Sequence, residues 1–233
     1  MIFAAGLGTR LYPLTANKPK ALVEYQGKPL LEHAITKILE AGIEHIVINV
    51  HHFGEQIIDY IAQHHFNAII NISDEREKLL ETAGGLKFAE PFFKDCEQIL
   101  LYNADVISSI DLKKFYRKQN FNYVQFSKAE SRLASLAVRH RQSSRYFLFE
   151  EPELRLCGWR NAKTNEKKKC YQVENPTSLA FSGIHIVGKK IFDFIPKNEK
   201  ISFTHLYLEL AKNYLIQGYL HDEDTWEDMG KGG

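Results

Sequence analysis

Two glycines, an arginine and a lysine at fixed spacing open this chain with residues able to grip a polyphosphate: Ala4-Ala5-Gly6-Leu7-Gly8-Thr9-Arg10, then Pro13-Leu14-Thr15 and Lys18-Pro19-Lys20. They follow Ile2-Phe3-Ala4, an apolar run that reads as a first strand. Glycine lets backbone N–H groups approach phosphate oxygens closely, and the two cations would neutralise them, so the pattern suits a nucleoside triphosphate. The loop is neither a Walker A loop nor a Gly-x-Gly-x-x-Gly fingerprint, because the third glycine and the closing Lys-Ser/Thr are both absent. As a bare pattern, Gly-x-Gly after a strand is also compatible with a plain turn.

The longer run A-A-G-x-G-T-R-L-x-P-L-T-x-x-x-P-K-A-L, with Arg10 and Lys20 ten residues apart, resembles the N-terminal signature of the sugar-1-phosphate nucleotidylyltransferases. Glu81-Thr82-Ala83-Gly84-Gly85, Asn103-Ala104-Asp105, Phe181-Ser182-Gly183-Ile184 and Trp226-Glu227-Asp228-Met229-Gly230 continue the resemblance in the family's order. Within it, the chain looks most like the short enzymes that transfer a nucleotide to N-acetylmuramate 1-phosphate or mannose 1-phosphate. The resemblance implies a three-layer, Rossmann-like α/β nucleotidyltransferase fold, with a mixed, mostly parallel central sheet and a small β-hairpin extension. It implies that a nucleoside triphosphate and a sugar 1-phosphate become a nucleotide sugar and pyrophosphate, with Mg2+ as cofactor and a place in nucleotide-sugar and cell-wall synthesis. Uridine with N-acetylmuramate and guanosine with mannose are the leading pairs.

Such a transfer brings two anions together against a Coulomb repulsion on the order of several kcal/mol at low effective dielectric. Cations and a hard divalent ion, held by a few carboxylates plus phosphate oxygens and water, remove that obstacle. By resemblance, Asp105 and Asp228 are the metal ligands; the sequence alone does not show that they meet. Asn103-Ala104-Asp105 would equally suit a turn, and Asp228 stands among Asp222, Glu223, Asp224 and Glu227, a set that reads as a solvated face. The resemblance places Arg10 on the β- and γ-phosphates and Lys20 between the α-phosphate and the incoming sugar phosphate. Ala5, Gly6, Gly8 and Thr9 fall with Arg10 in the nucleotide loop, and Glu81, Gly84 and Gly85 in the base-binding segment. Ala83 stands where the family usually has glycine, which narrows backbone approach there. Ser182 and Gly183 match the sugar-phosphate position. The Glu-Glu-Lys-Pro segment of longer relatives is absent, and Arg160, in Gly158-Trp159-Arg160-Asn161, is the substitute cation expected on the sugar phosphate.

At 233 residues, 44% of them hydrophobic and a quarter charged, the chain can bury one substantial core, and 1–233 is expected to form a single domain, with a nucleotide-binding half over 1–120 and a sugar-phosphate half over 121–233. A net charge of +1 gives no support for a nucleic-acid or membrane surface, and no apolar run approaches membrane-spanning length. Cys96, Cys157 and Cys170 are too few and scattered for a disulfide framework, which fits reduced thiols in a cytoplasmic protein. His51-His52 and His64-His65 lack metal-ligand spacing, and no nucleophile elbow is present. Val50 leads into His51 where a dinucleotide site needs an acidic residue, which argues against an NAD-dependent oxidoreductase. A catalytically silent binding module on the same scaffold would be expected to lose a metal aspartate or the loop arginine; all are present. The oligomeric state is left open, a homo-oligomer included. Relatives usually carry a few residues before the first strand and a closing helix after Gly233, so a shortened or partial sequence is expected.

The elements that must hold these residues alternate in the first half. Leu31, Ala34, Ile35, Ile38 and Leu39 are spaced for a helix that Gly42 ends. Ile46–Val50 reads as a buried strand, Glu55–His64 as a second helix and Ala68–Ile72 as a strand. Gln98–Tyr102 is a central strand delivering Asp105 past its C-terminal end, the edge where open α/β sheets bind ligands. In the second half Tyr123–Phe126 and Leu133–Val138 read as strands, and Tyr146–Phe149 with Arg155–Trp159 as a hairpin. Arg160–Lys169 reads as a solvated loop and Leu179–Phe181 as a strand. Ser202 is expected to cap a helix carrying Leu206, Leu210 and Leu215, closed by Gly218.

Overall fold

The computed structural model describes residues 1–117 and 132–230. In the first half, β1 (Ile2–Phe3) leads into a loop with single 3-10 turns at Thr9–Leu11 and Lys20–Leu22, followed by a ribbon of β2 (Glu24–Tyr25) and β3 (Lys28–Pro29). Helix α1 (Leu30–Glu40) buries Leu31, Ala34, Ile35 and Ile38 along one stripe, and Gly42 beyond it sits at φ +80°, the left-handed backbone a helix-ending glycine supplies at no steric cost. There follow β4 (His45–Val50), α2 (Gly54–Gln63), β5 (Ile69–Asp74), α3 (Glu81–Phe88), β6 (Gln98–Asn103), β7 (Val106–Ser108) and α4 (Leu112–Arg117). Residues 46–50 of β4 are all buried, as expected of a β-branched strand covered on both faces.

The second half contains β8 (Arg132–Arg139), β9 (Arg145–Glu150), β10 (Arg155–Asn161), β11 (Lys167–Lys169), β12 (Thr177–Gly188), α5 (Phe203–Leu210), β13 (Leu215–Leu220) and β14 (Trp226–Asp228). The main sheet runs β11-β10-β13-β8-β12-β6-β1-β4-β5, with β9 paired to β10 and β12. Its first-half strands β6, β1, β4 and β5 are mutually parallel. Antiparallel pairing takes over from β12 onward, except between β8 and β13. Successive residues of one strand face opposite layers: Ile46 and Ile48 pack with Ile35, Ile57 and Phe115 beneath α1, α2 and α4, while Val47 packs with Leu86 and Leu206 beneath α3 and α5.

Two expectations are corrected. Helix α5 stops at Leu210, and Leu215 begins strand β13, in which Gly218 is an interior residue. Short apolar runs fit either period, and here the sheet wins: a Cβ on Gly218 would lie 3.2 Å from both Leu154 and Phe149, so this glycine permits close packing and does not end a helix. Nor is 160–169 one solvated loop, because β10 continues through Asn161 and Lys167–Lys169 pair with it as an edge strand, where exposed lysines discourage further pairing. The Tyr146–Phe149 with Arg155–Trp159 hairpin is present, whereas the strand expected at Tyr123–Phe126 lies outside the described residues.

Candidate active site

Because β1, β4 and β6 are parallel, their C-terminal ends share one edge, and a cavity of about 470 Å³ opens there. Its walls are the loop from Ala4 to Leu11, Lys20, Asn49, Thr82, Asp105 and Gly230.

The loop is built for close approach. Among the described residues nothing lies within 4 Å of where a Cβ on Gly6 would stand, so backbone there is open to a ligand. Gly8 has φ +67°, and a Cβ on it would come within 2.9 Å of Thr15, whose hydroxyl in turn donates to the Gly8 carbonyl at 2.9 Å. Thr15 is buried, so the conformation that presents Thr9 and the exposed Arg10 at the cavity wall is fixed from behind. Lys20 follows the buried Pro19 and reaches the floor, where its Nζ forms an ion pair with Asp105 Oδ2.

Asp105 and Asp228 meet. Strand β14 pairs antiparallel with β7 so that Asp228 stands opposite Val106, and the Met229 N–H donates to the Asp105 carbonyl at 2.9 Å. Gly230 N–H donates to Asp228 Oδ1 at 2.9 Å. A Cβ on Gly230 would lie 2.6 Å from Asp105 Oδ2 and 2.9 Å from Asp228 Oδ1, and would collide with Lys20 Nζ. One point at the cavity floor is thus ringed by two carboxylates and an ammonium, and only glycine leaves it open.

Among the described residues no group of three or more His, Cys, Asp or Glu side chains converges. Two carboxylates on one small open volume are nonetheless the donor set Mg2+ takes when substrate phosphates and water supply the rest, so the residues fit that ion. Lys20 provides the positive charge against Asp105 here.

The segment expected to bind the base, 81–85, lies only partly on the cavity wall. Glu81 and Thr82 line the cavity; Gly84 and Gly85 are buried inside α3, behind that wall. A Cβ on Gly84 would collide with the Glu199 carbonyl, and one on Gly85 would lie 2.6 Å from Glu75 Oε1, so both glycines allow close packing. The first N–H groups of α3 are already used, with Ala83 and Gly84 donating to the Ile201 carbonyl at 3.0 and 3.1 Å. Glu81 holds a left-handed backbone at φ +60° at the helix start, with its carboxylate 3.8 Å from Lys200.

Sequence reasoning passed over Asn49 and Glu75, which tie the walls together. Asn49 accepts from the Ala4 N–H at 2.9 Å and donates to Glu75 Oε1 at 2.8 Å, while Glu75 Oε2 accepts from the Leu80 N–H at 3.4 Å. Both side chains are buried. Burial raises the Glu75 carboxyl above the ordinary carboxylate range, opposed by its bonds from Asn49 and Leu80. A polar residue inside the apolar run Ile46–Val50 was the one visible signal; Glu75 gave none.

On the sugar side, Ser182 is fully buried and shares a 2.7 Å hydrogen bond with His221 Nε2, and a Cβ on Gly183 would press on Asn103 and Val106. Neither lines the cavity. They hold the chain that carries Asp228: Trp226 Nε1 donates to the Ser182 carbonyl at 2.8 Å, and Arg139 donates to the carbonyls of Asp224 and Asp222 at 3.0 and 3.3 Å. Burial and the neighbouring Arg139 lower the pKa of His221, opposed by Asp224 and Asp222. Arg160 also stands outside the cavity lining, stacked 4.6 Å over Tyr146 with its Nε on Ser178 Oγ at 3.1 Å.

The mixed, helix-covered sheet, with a glycine loop and two aspartates at one edge, is a nucleotidyltransferase-type fold. Residues 1–232 match the Nucleotidyl transferase family, and the chain belongs to it. Two similar curated proteins are N-acetylmuramate alpha-1-phosphate uridylyltransferases. That of Caulobacter vibrioides is 45% identical over 92 residues, 38% of each chain. That of Neisseria meningitidis serogroup B is 29% identical over 231 residues, 99% of this chain and 92% of the relative. The chain spans 51% and 60% of the length of two further curated relatives, a bifunctional protein of Methanococcus maripaludis and a mannose-1-phosphate guanyltransferase of Yarrowia lipolytica. Among solved structures, the UDP-glucose pyrophosphorylase of Acinetobacter baumanii superposes with a TM-score of 0.74 at 16% identity, covering 98% of this chain and 87% of that one, which is a likeness of fold.

Proposed function

We propose that this chain transfers a nucleotidyl group from a nucleoside triphosphate to a sugar 1-phosphate, releasing pyrophosphate and a nucleotide sugar. The convergence of Lys20, Asp105 and Asp228 on the space above Gly230, beside the glycine loop, carries the reading. Loop backbone at Gly6 and the Arg10 guanidinium hold the β- and γ-phosphates and stabilise departing pyrophosphate. Lys20 moves from Asp105 to the α-phosphate and the incoming sugar phosphate, offsetting the repulsion between them. Asp105 and Asp228 hold Mg2+, which, when bound, neutralises phosphate charge and orients the α-phosphate. Glu81 and Thr82 face the base.

Uridine triphosphate with N-acetylmuramate 1-phosphate is the favoured pair, supported by the names of the two relatives; guanosine triphosphate with mannose 1-phosphate is the other. The protein would act on these small molecules alone, without nucleic acid or membrane, in the cytoplasm. Incubating the chain and Mg2+ with each of four nucleoside triphosphates and a panel of sugar 1-phosphates, with mass detection, tests this. A nucleotide sugar and equimolar pyrophosphate are expected for one pair above the rest. Pyrophosphate release without a nucleotide sugar, or no product from any pair, would contradict it.

A further inference from the structure

Beside Trp226, on the strand that carries Asp228, stands a cation that neither the sequence motifs nor the cavity wall singled out. Arg141 leaves the end of β8 and lies over the indole of Trp226, its guanidinium carbon 4.1 Å from the ring centroid. Trp226 and Asp228 are two apart on β14 and project from the same face of that strand, so the guanidinium stands on the face that carries Asp228. The charge of Asp228 acts on it there, opposing the downward shift that burial imposes on its pKa. Its height above the sheet is set by β12. Ile184 pairs with Tyr102 near the end of β6, so the residues before 182 extend past the edge where Asp105 sits. Arg141 Nη2 donates to one of these, the Phe181 carbonyl, at 2.9 Å.

Most of its donors are unspent. A guanidinium has five N–H groups, and among the described residues those of Arg141 reach only backbone carbonyls, Phe181 and, at 3.3 Å, Gln142. Its Nε is buried with no partner among the described residues, and leaving a desolvated donor unsatisfied is costly until an acceptor arrives. Of the neighbouring arginines, Arg139 donates to two carbonyls of the 222–224 loop, and Arg160, stacked on Tyr146 with its Nε on Ser178, stands on β10 away from Asp228's strand. We propose that Arg141 receives a negatively charged group of the acceptor sugar 1-phosphate on the Asp228 side of the site. The proposal rests on the nucleotidyl-transfer reading above. An acceptor brings its phosphate and, in the case of N-acetylmuramate 1-phosphate, a carboxylate as well; either matches the planar fork of a guanidinium.

The test is steady-state kinetics of the full chain as wild type, Arg141→Ala, Arg141→Gln and Arg141→Lys, with two acceptors that differ in the carboxylate, N-acetylmuramate 1-phosphate and N-acetylglucosamine 1-phosphate. A charge-assisted hydrogen bond lost from the acceptor should raise its KM by about 10- to 100-fold in Arg141→Ala and Arg141→Gln, while the nucleotide KM stays within about twofold. Arg141→Lys, which keeps charge without the fork, should recover part of that loss. A rise for both acceptors assigns the phosphate; a rise for the muramate alone assigns the carboxylate. Should Arg141→Ala unfold, Arg141→Gln, which can still reach the Phe181 carbonyl, gives the readout. An unmoved acceptor KM in active variants overturns the proposal, as does a matched rise in both KM values with a lowered melting temperature, the mark of a residue that only props Trp226. Wild-type protein that makes no nucleotide sugar from any acceptor overturns the nucleotidyl-transfer reading, and the proposal with it.

Discussion

The two halves of the site are held by different means. On the nucleotide side, functional groups stand just past the ends of β1 and β6, so parallel strands aim them and local turns finish the work: Gly8 on Thr15, Lys20 behind Pro19. On the sugar side, Asp228 arrives on a three-residue strand whose position depends on side chains from β8, β12 and the 221–225 loop, through Arg139, Ser182–His221 and Trp226. A side chain placed by its own strand and turn can be altered locally. One placed by a distant polar network inherits every weakness of that network.

The largest test of this contrast removes the two carboxylates. Asp105→Asn and Asp228→Asn should each lower turnover by about 100-fold or more, on the scale of several kcal/mol that a bound metal contributes, with the melting temperature little changed. A pyrophosphate-release assay with thermal melts reads both, and turnover near the parent's level in either variant would break the pairing of the halves.

A smaller effect should separate them. His221→Ala strands the fully buried Ser182 hydroxyl, at a cost of about 1–3 kcal/mol, and loosens the chain leading to Asp228. Melting should fall by several degrees and turnover by less than in Asp228→Asn, with nucleotide affinity by calorimetry unchanged. Nucleotide affinity falling as far as turnover would show that the two sides are not separately held.

The smallest effect lies on the nucleotide side. Burial raises the folded-state pKa of Glu75, so above about pH 4.3, where an unfolded glutamate releases its proton, the folded state still holds one. Stability therefore declines as pH rises through the window between the unfolded and folded values. Glu75→Gln keeps the shape of the Asn49 contact and removes the titration, so the wild-type melting temperature should fall relative to the variant's as pH rises above the ordinary carboxylate range. Parallel curves would mean that Glu75 is not held in its protonated form.

What could be read from the residues follows the same division. Strands β1, β4 and β6, helix α1 and the cavity-facing loop from Ala5 to Arg10 were legible, because apolar periodicity, Gly42 and the Gly6–Lys20 spacing are local signals. Leu215 and Gly218 were misread because helical spacing and a short β run coincide there, and β8 and β9 on the sheet decide between them. Gly84, Gly85, Ser182 and Gly183 were placed in a family pattern without knowledge of their burial; the structure sets them behind the walls. Asn49, Glu75 and Arg141 matter through partners 26 to 45 or more residues away, which no local pattern encodes.

The most direct measurement is a Mn2+ titration followed by electron paramagnetic resonance, in the presence of a non-hydrolysable nucleoside triphosphate, on wild type, Asp105→Asn and Asp228→Asn. One ion per chain should bind the parent, and each substitution should weaken it by tenfold or more, an effect of about 1.4 kcal/mol or above. An ion held as tightly by either variant as by the parent would contradict the claim that residues from both halves of the chain share it.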